Sequence, residues 1–271
     1  TMASEEPVDP DSEILPATEV TRAPRRPFYK DPLSIIGWGI ALASIVAYWY
    51  FFVRKPVPKP GQQTARLTGV EGKVKVGLSP HAPYSVSPPL LKRLAEWARA
   101  EGLPLMVHAA ESPEEVAFLA RGEGPLREVY GRFAKTPWTP PGTTPVRHLH
   151  ALGVLGPTTL LVHGVQVDEE EVGLLAETGT KVVLCPRSNA NLEVGEAPLA
   201  LYAKHGVELA LGTDSRGSSP DLDVKNEARF LWGRAEPRLL VRALTRGGYR
   251  ALGLPTPRLT RGTPLSLVHF L

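Results

Sequence analysis

The stretch LPLMVHAAESPEEV, residues 103–116, contains the structural unit that decides the fold. Residues 104–108 form a short apolar run that ends in His108, and the pattern over residues 113–121 is typical of a helix. A strand followed directly by a helix is the repeating unit of parallel α/β folds. Where this unit recurs, it predicts a parallel sheet covered by helices.

The same alternation continues on both sides of this stretch. Further strands are predicted at residues 73–78, 159–163, 181–185 and 208–212. Further helices are predicted at residues 88–101, 168–177, 197–205 and 238–252. We therefore predict an α/β fold over residues 70–255, a partial TIM-like (β/α) barrel with about five of the eight units of a closed barrel.

The residues before this region differ from it in composition. Residues 1–31 are polar and rich in proline, which predicts a disordered tail. Residues 32–53 carry no charge and match the roughly 20 residues that span a bilayer as a helix. A buried core helix is usually shorter and no cleavage pattern follows, so we expect a retained transmembrane helix. Residues 54–69, which include KPVPKPGQQ, predict a stiff, Pro-rich linker.

Basic residues flank the apolar segment on both sides, so the positive-inside rule leaves its orientation open. We expect a single-pass membrane anchor with the barrel on the cytoplasmic side. If residues 1–69 and 70–271 come from different proteins, the barrel is expected in the cytoplasm without an anchor. The composition changes abruptly between these two parts, which keeps a composite chain open as an interpretation.

Charge and cysteine content narrow the classes of partner and metal site. The net charge of +3 comes from 31 basic and 28 acidic residues that are spread along the chain, so no nucleic-acid partner is expected. The single cysteine, Cys185, excludes an internal disulfide framework and a Cys-rich zinc cluster. Histidine and carboxylate side chains are therefore the candidate metal ligands.

Polar side chains follow the predicted strands where each strand ends, and in a parallel barrel that end builds the active site. A lone histidine there is more often structural, and an aspartate can simply cap a helix. Together, however, these residues provide the ingredients of a site that binds a metal and moves a proton. The set comprises His81, His108, Glu111, His163, Asn189, Asn191 and Asp214.

Five motifs, in this order, resemble the amidohydrolase superfamily, in particular the branch of triazine chlorohydrolases and of adenosine- and cytosine-type deaminases. They are SPHAPYSVSP, MVHAAESPEEV, LLVHGVQVDEEEV, LCPRSNANLEVG and LALGTDSRGSSPDLDV. The similarity covers residues 74–271. Residues 256–271, with LTRGTPLSLVHF, resemble the strand segment that returns to the small β-sandwich of the family.

The resemblance implies a metal-dependent aminohydrolase that cleaves C–N bonds in cyclic, nucleobase-like amines. His108 and Asp214 are then expected to hold one divalent ion, zinc or iron, and Asp214 also to accept a proton from the water on that ion. Glu111 is expected to carry the proton to the leaving nitrogen, and His163 to stabilise the tetrahedral intermediate. The expected substrate contacts are His81, Ser188 and Asn189.

One feature of the family pattern is missing from the sequence. The family's first strand ends in a His-x-His pair of ligands, and no histidine precedes His81. His148 and His150 repeat that spelling, but their surroundings predict a short helix, on which residues two apart point in different directions. A structural or surface role is therefore expected for both.

The incomplete pattern leaves three hypotheses open. The chain is an active hydrolase whose remaining strands and ligands come from a second chain or an oligomer. Alternatively, it is a non-catalytic, membrane-anchored barrel remnant that acts as a structural or assembly subunit. The third hypothesis is the composite chain, in which an anchor from one protein precedes part of an unrelated hydrolase. An open sheet edge favours a covering partner or a larger native context under all three.

Overall fold

The computed structural model describes residues 76–133 and 138–256. These residues belong to a single unit, residues 56–271, and contain a parallel sheet with strands in the order β1-β2-β3-β4. The strands are β1 Leu105–Ala109, β2 Thr159–His163, β3 Lys181–Leu184 and β4 Leu209–Leu211. Every neighbouring pair is parallel, and Ala109 is in register with His163 at the carboxyl ends of β1 and β2. The predicted parallel α/β fold is thus confirmed.

Helices precede, connect and follow the strands. They are α1 Pro88–Glu101, α2 Pro113–Arg121, α3 Pro125–Phe133, α4 Pro145–Ala151, α5 Glu169–Thr178, α6 Pro186–Asn191, α7 Leu199–Lys204, α8 Val224–Phe230, α9 Pro237–Arg242 and α10 Gly248–Ala251, with a π-helical turn at Ala243–Gly247. Local sequence explains several starts. The Ser112 side chain accepts the N–H of Glu115 at the start of α2, and Asp168 forms a capping box with Glu171 at the start of α5.

The main core lies between the helices and one face of the sheet. On β1, Leu105, Val107 and Ala109 point into this core and are fully or almost fully buried, whereas Met106 faces the other way and is 37% exposed. A smaller cluster on the opposite face contains Leu160, Ala210 and Ala251. The helix-covered face is therefore the better-packed one, and the face that would line a barrel interior is open at Met106.

Predicted and observed elements agree closely where the apolar pattern is long. Helices at residues 88–101 and 113–121 have the predicted bounds. The strand predicted at residues 73–78 lies only partly within the described residues, where Leu78 forms a parallel bridge with Leu105 beside β1. The helix predicted at residues 238–252 starts at Pro237 and is interrupted by the π-helical turn. The helices α3, α6 and α8 were not predicted.

The other predicted segments lie outside the described residues. They are the tail at residues 1–31, the transmembrane helix at residues 32–53, the linker at residues 54–69 and, apart from residue 256, the strand segment at residues 256–271. Within residues 76–133 and 138–256, no helix is both long and apolar enough to cross a membrane.

Candidate active site

Three of the predicted polar residues meet at the carboxyl ends of the strands, whereas Asn191 is exposed at the end of α6. Glu111 follows β1, His163 ends β2, and Asp214 follows β4. One ligand atom from each of these three side chains lies within 4.8 Å of the other two. The parallel register of the sheet brings these distant parts of the sequence together, as the strand-end pattern predicts.

Three histidine rings form a row, and His163 at one end of the row belongs to this cluster. The ring centroids of His81 and His108 are 5.3 Å apart, and those of His108 and His163 are 5.5 Å apart. The Nδ1–H of His108 donates to the backbone oxygen of His81 at 2.9 Å, while His81 Nδ1 lies 2.7 Å from Ser85 Oγ. The bond from His108 Nδ1 fixes its tautomer and leaves its Nε2 lone pair for a ligand.

His163 is oriented in the same way by a buried amide. Its Nδ1–H donates to Oδ1 of Asn189 at 2.8 Å, and its Nε2 lies 3.5 Å from Oε1 of Glu111. Burial lowers the pKa of the His163 imidazole, which keeps the ring neutral at neutral pH. Burial, together with the neighbouring His108, lowers the pKa of His81 to about 4. Neutral imidazole is the form that binds a metal.

Asp214 is held by two hydroxyl groups. Ser188 Oγ and Ser218 Oγ both donate to its Oδ2, at 2.8 Å and 2.6 Å. Burial alone would raise the pKa of this carboxyl group, but these hydrogen bonds and the nearby His163 outweigh it and lower the pKa. Asp214 is thus an anion whose Oδ1 is not used by either serine.

The backbone is strained at two of these positions. His163 has φ +76° and Asp214 has φ +59°, in the left-handed region that residues with a side chain seldom adopt. Such conformations persist only where the surrounding structure enforces them, and they cluster at functional sites. His163 is the last residue of β2 and Asp214 lies three residues after the end of β4, so both stand where the chain leaves a strand.

Glu111 differs from Asp214 in its protonation. Burial and the negative charge of Asp214 raise the pKa of the Glu111 carboxyl to about 7. Its backbone N–H donates to Oε2 of the buried Glu115 at 2.8 Å. Two carboxyl groups with pKa values pushed in opposite directions are suited to separate roles, one as a fixed anion and one as a proton carrier.

The donor atoms fit a divalent metal ion. An ionised carboxylate and neutral imidazoles whose Nδ1 atoms are already engaged are common ligands for zinc and iron. Glu111, His163 and Asp214 form the compact group within the described residues. The ring of His108 lies next to that of His163, with centroids 5.5 Å apart, but His108 is not in this group. Its role as a ligand stays a prediction.

Ser188 and Asn189, predicted to contact substrate, are both buried, and their side chains engage Asp214 and His163. Direct substrate contact by these two residues stays a prediction. On α4, His148 is buried and His150 is exposed, in line with the different directions expected of them. Sequence reasoning missed Ser218, although its place four residues after Asp214 in a serine-rich loop was a usable signal.

Comparisons with known proteins identify a family and several relatives of this chain. The profile of the amidohydrolase family matches residues 58–270. The aminodeoxyfutalosine deaminase of Deinococcus radiodurans is 43% identical over 238 residues, covering 79% of this chain and 56% of that protein. The 5-methylthioadenosine/S-adenosylhomocysteine deaminase 2 of Archaeoglobus fulgidus is 34% identical over 209 residues, covering 74% and 46%.

A solved structure supports the same assignment. The crystal structure of an adenosine deaminase from Xanthomonas campestris with bound zinc aligns with a TM-score of 0.56 and 29% identity, over 69% of this chain and 41% of that one. The chain thus spans about half the length of the relatives it matches. The predicted resemblance is confirmed: this chain belongs to the amidohydrolase family.

Proposed function

We propose that this chain is the active-site-bearing part of a metal-dependent deaminase that removes the exocyclic amino group of adenine nucleosides. The observation that carries the proposal is the convergence of Glu111, His163 and Asp214, whose ligand atoms lie within 4.8 Å of one another. The Archaeoglobus relative is named as a deaminase of 5-methylthioadenosine and S-adenosylhomocysteine, and the Xanthomonas structure as an adenosine deaminase, which supports this substrate class.

His163 and Asp214, joined by His108, would hold the metal. Asp214 is anionic, and His163 is kept neutral by burial, so neither needs to lose a proton before binding at neutral pH. A bound zinc or iron ion supplies a Lewis acid that lowers the pKa of water toward neutrality.

Glu111 would move protons during the reaction. With a pKa of about 7, its carboxyl group can both take up and release a proton near neutral pH. Glu111 would give a proton to the adenine ring as water adds at the ring carbon, and Asp214 would take the proton that the water loses. That proton would pass through Glu111 to the amine, and the proton of the new hydroxyl would return to Glu111 as the C–N bond breaks and ammonia leaves. His163 Nε2, whose lone pair would bind the metal, lies 3.5 Å from Oε1 of Glu111, so the proton carrier stands beside the metal site.

The described sheet supports completion by further strands. Its inner face is open at Met106, whereas a closed barrel of this type has eight strands around a packed interior. In our proposal the remaining strands come from a longer native protein or from a second chain, whereas His108, His163 and Asp214 of this chain hold the metal. A non-catalytic assembly subunit is the alternative if no metal binds.

The test combines metal content with activity. Elemental analysis of the purified chain is compared with the His108→Ala, Asp214→Ala double variant and with a His150→Ala control, since His150 is exposed on α4. We expect about one zinc or iron per chain, lost only in the double variant. Adenosine, 5′-methylthioadenosine and aminodeoxyfutalosine are then assayed for ammonia release. A metal content at background in the unaltered chain would overturn the proposal.

A further inference from the structure

The helix α6, Pro186–Asn191, begins without a cap from its own sequence. The preceding residue, Cys185, gives no side-chain cap hydrogen bond. The first N–H groups of any helix lack partners within the helix and need them from elsewhere. Here the partner comes from 40 residues further along the chain, because Oε2 of Glu227 on α8 accepts the N–H of Arg187 at 3.0 Å.

Arg187, whose N–H is accepted by Glu227, is also held through its side chain. Nη1 and Nη2 of Arg187 donate to the two carboxylate oxygens of Asp221, at 2.9 Å and 2.7 Å. Nη1 also lies 3.6 Å from Oε1 of Glu227, which has no hydrogen-bond partner in the part of the chain that is described. Glu227 is fully buried and the Arg187 side chain is 13% exposed, so this pair is largely screened from water, whereas Asp221 is 38% exposed.

The two residues that follow Arg187 are the ones that orient the active site. Ser188 Oγ donates to Asp214 Oδ2, and Asn189 Oδ1 accepts from His163 Nδ1, each at 2.8 Å. Both side chains are buried. A displacement of this one short helix would therefore disturb the carboxylate and the imidazole of the candidate metal site together.

We propose that Glu227 is a positioning residue of the metal site: by accepting the N–H of Arg187 and so capping α6, it holds Ser188 and Asn189 where they orient Asp214 and His163. This inference rests on the proposed function, since it concerns the same metal site. The contacts of Glu227 are with Arg187, the residue before Ser188 and Asn189, so its effect on the metal site would pass through these two residues. Ser188 and Asn189 are hydrogen-bonded to the candidate ligands themselves, and removing groups in that position typically changes metal affinity by roughly 10–100-fold.

The experiment measures zinc affinity of the full chain by competition with a chromophoric chelator. Glu227→Ala is expected to weaken zinc binding by roughly 10–100-fold. Glu227→Gln keeps an oxygen that can accept the Arg187 N–H, so its affinity should stay within about threefold of the unaltered chain. This rescue by the conservative variant separates capping from a need for the charge.

Two controls separate positioning from loss of fold stability. Glu236→Gln removes a charge from an exposed glutamate at the start of α9. Leu175→Ala creates a cavity in the core beneath α5, which destabilises the fold without touching α6. Zinc affinity should be unchanged in both. Equal losses in Leu175→Ala and Glu227→Ala would overturn the inference.

A double-mutant cycle tests the route of action. If Glu227 acts through Ser188 and Asn189, its replacement by alanine should cost less than about threefold in zinc affinity once Ser188→Ala and Asn189→Ala are present. A full additional loss in that background would overturn the inference while leaving the proposed function intact. Absence of zinc binding in the unaltered chain would overturn both.

Discussion

The Nδ1–H of His163 donates to Oδ1 of Asn189 at 2.8 Å, and this bond joins the end of β2 to the helix after β3. Since an amide oxygen can only accept, the bond places the proton of the neutral ring on Nδ1 and leaves Nε2 to face Glu111. A neutral hydrogen-bond partner does this without charging the ring. The identity of residue 189 therefore controls the pH range in which His163 can bind a metal.

Asn189→Asp is expected to shift that range upward. A carboxylate in place of the amide favours the imidazolium form and should raise the pKa of His163, which is now lowered by burial. Zinc binding then competes with a proton at low pH, whereas at high pH the more basic ring binds at least as tightly. The measurement is zinc affinity across pH 5 to about 9.

The control for this variant is Asn191→Asp, which places the same charge on the exposed end of α6. Its zinc affinity should follow the pH profile of the unaltered chain. Identical profiles for the two variants would contradict the role assigned to Asn189.

Glu111→Gln should separate proton transfer from metal binding. The amide has nearly the same shape but cannot carry a proton, so kcat for deamination should fall by roughly 10²–10⁴-fold. Zinc affinity should stay within about threefold, because His163 and Asp214 keep their orienting hydrogen bonds. Steady-state kinetics and chelator competition on the same samples check both statements. Loss of zinc together with activity would instead make Glu111 a ligand of the compact cluster.

The sequence predicted those parts of the site that depend on strand ends. Apolar runs that stop at His108 and His163 are visible without a structure, and the register of a parallel sheet does the rest. The support of the site was not predictable in this way. The helix α6 has six residues with no apolar period, and its cap comes from Glu227, which no local pattern connects to Arg187.

A second feature beyond local prediction is the π-helical turn at Ala243–Gly247. The apolar pattern predicts one continuous helix at residues 238–252, and the structure has helical turns over residues 237–251. The interruption coincides with a close approach to β4, where a Cβ atom on Gly247 would lie 2.1 Å from the backbone oxygen of Leu209. Such a contact depends on tertiary packing, which propensity and periodicity do not report.

Gly247→Ala is therefore expected to destabilise the fold. The new methyl group would meet backbone atoms of β4, which cannot move aside as a flexible side chain can, so the free energy of unfolding should fall by about 1–3 kcal/mol or more. The measurement is urea-induced unfolding followed by circular dichroism. Bound zinc would add its own stabilisation to the unaltered chain and to the variant, so unfolding is measured without zinc.

The adjacent Gly248→Ala variant provides the matched control. A Cβ atom at Gly248 meets nothing within 4 Å, and its backbone is helical with φ −58°. Alanine should there stabilise the protein by about 0.5–1 kcal/mol relative to glycine. Helix propensity alone would predict the same change in unfolding free energy for Gly247→Ala and Gly248→Ala, so changes of opposite sign would support the close contact at Gly247. Equal stabilisation by the two substitutions would contradict that contact.

Glu115 should make the stability of the fold depend on pH. Its carboxyl group is buried on α2, and burial raises its pKa from the ordinary 4.5 to about 8. Because the folded state holds this proton more tightly than the unfolded state does, the contribution of Glu115 to the free energy of unfolding is complete below about pH 4.5 and is lost as the pH rises through about 8.

Glu115→Gln, which keeps an acceptor for the Glu111 N–H, should flatten the fall in unfolding free energy between these two pH values. Urea titrations of this variant, the unaltered chain and the exposed neighbour variant Glu114→Gln measure the difference. A slope that Glu115→Gln leaves unchanged would mean that the carboxyl group is already ionised in the folded protein.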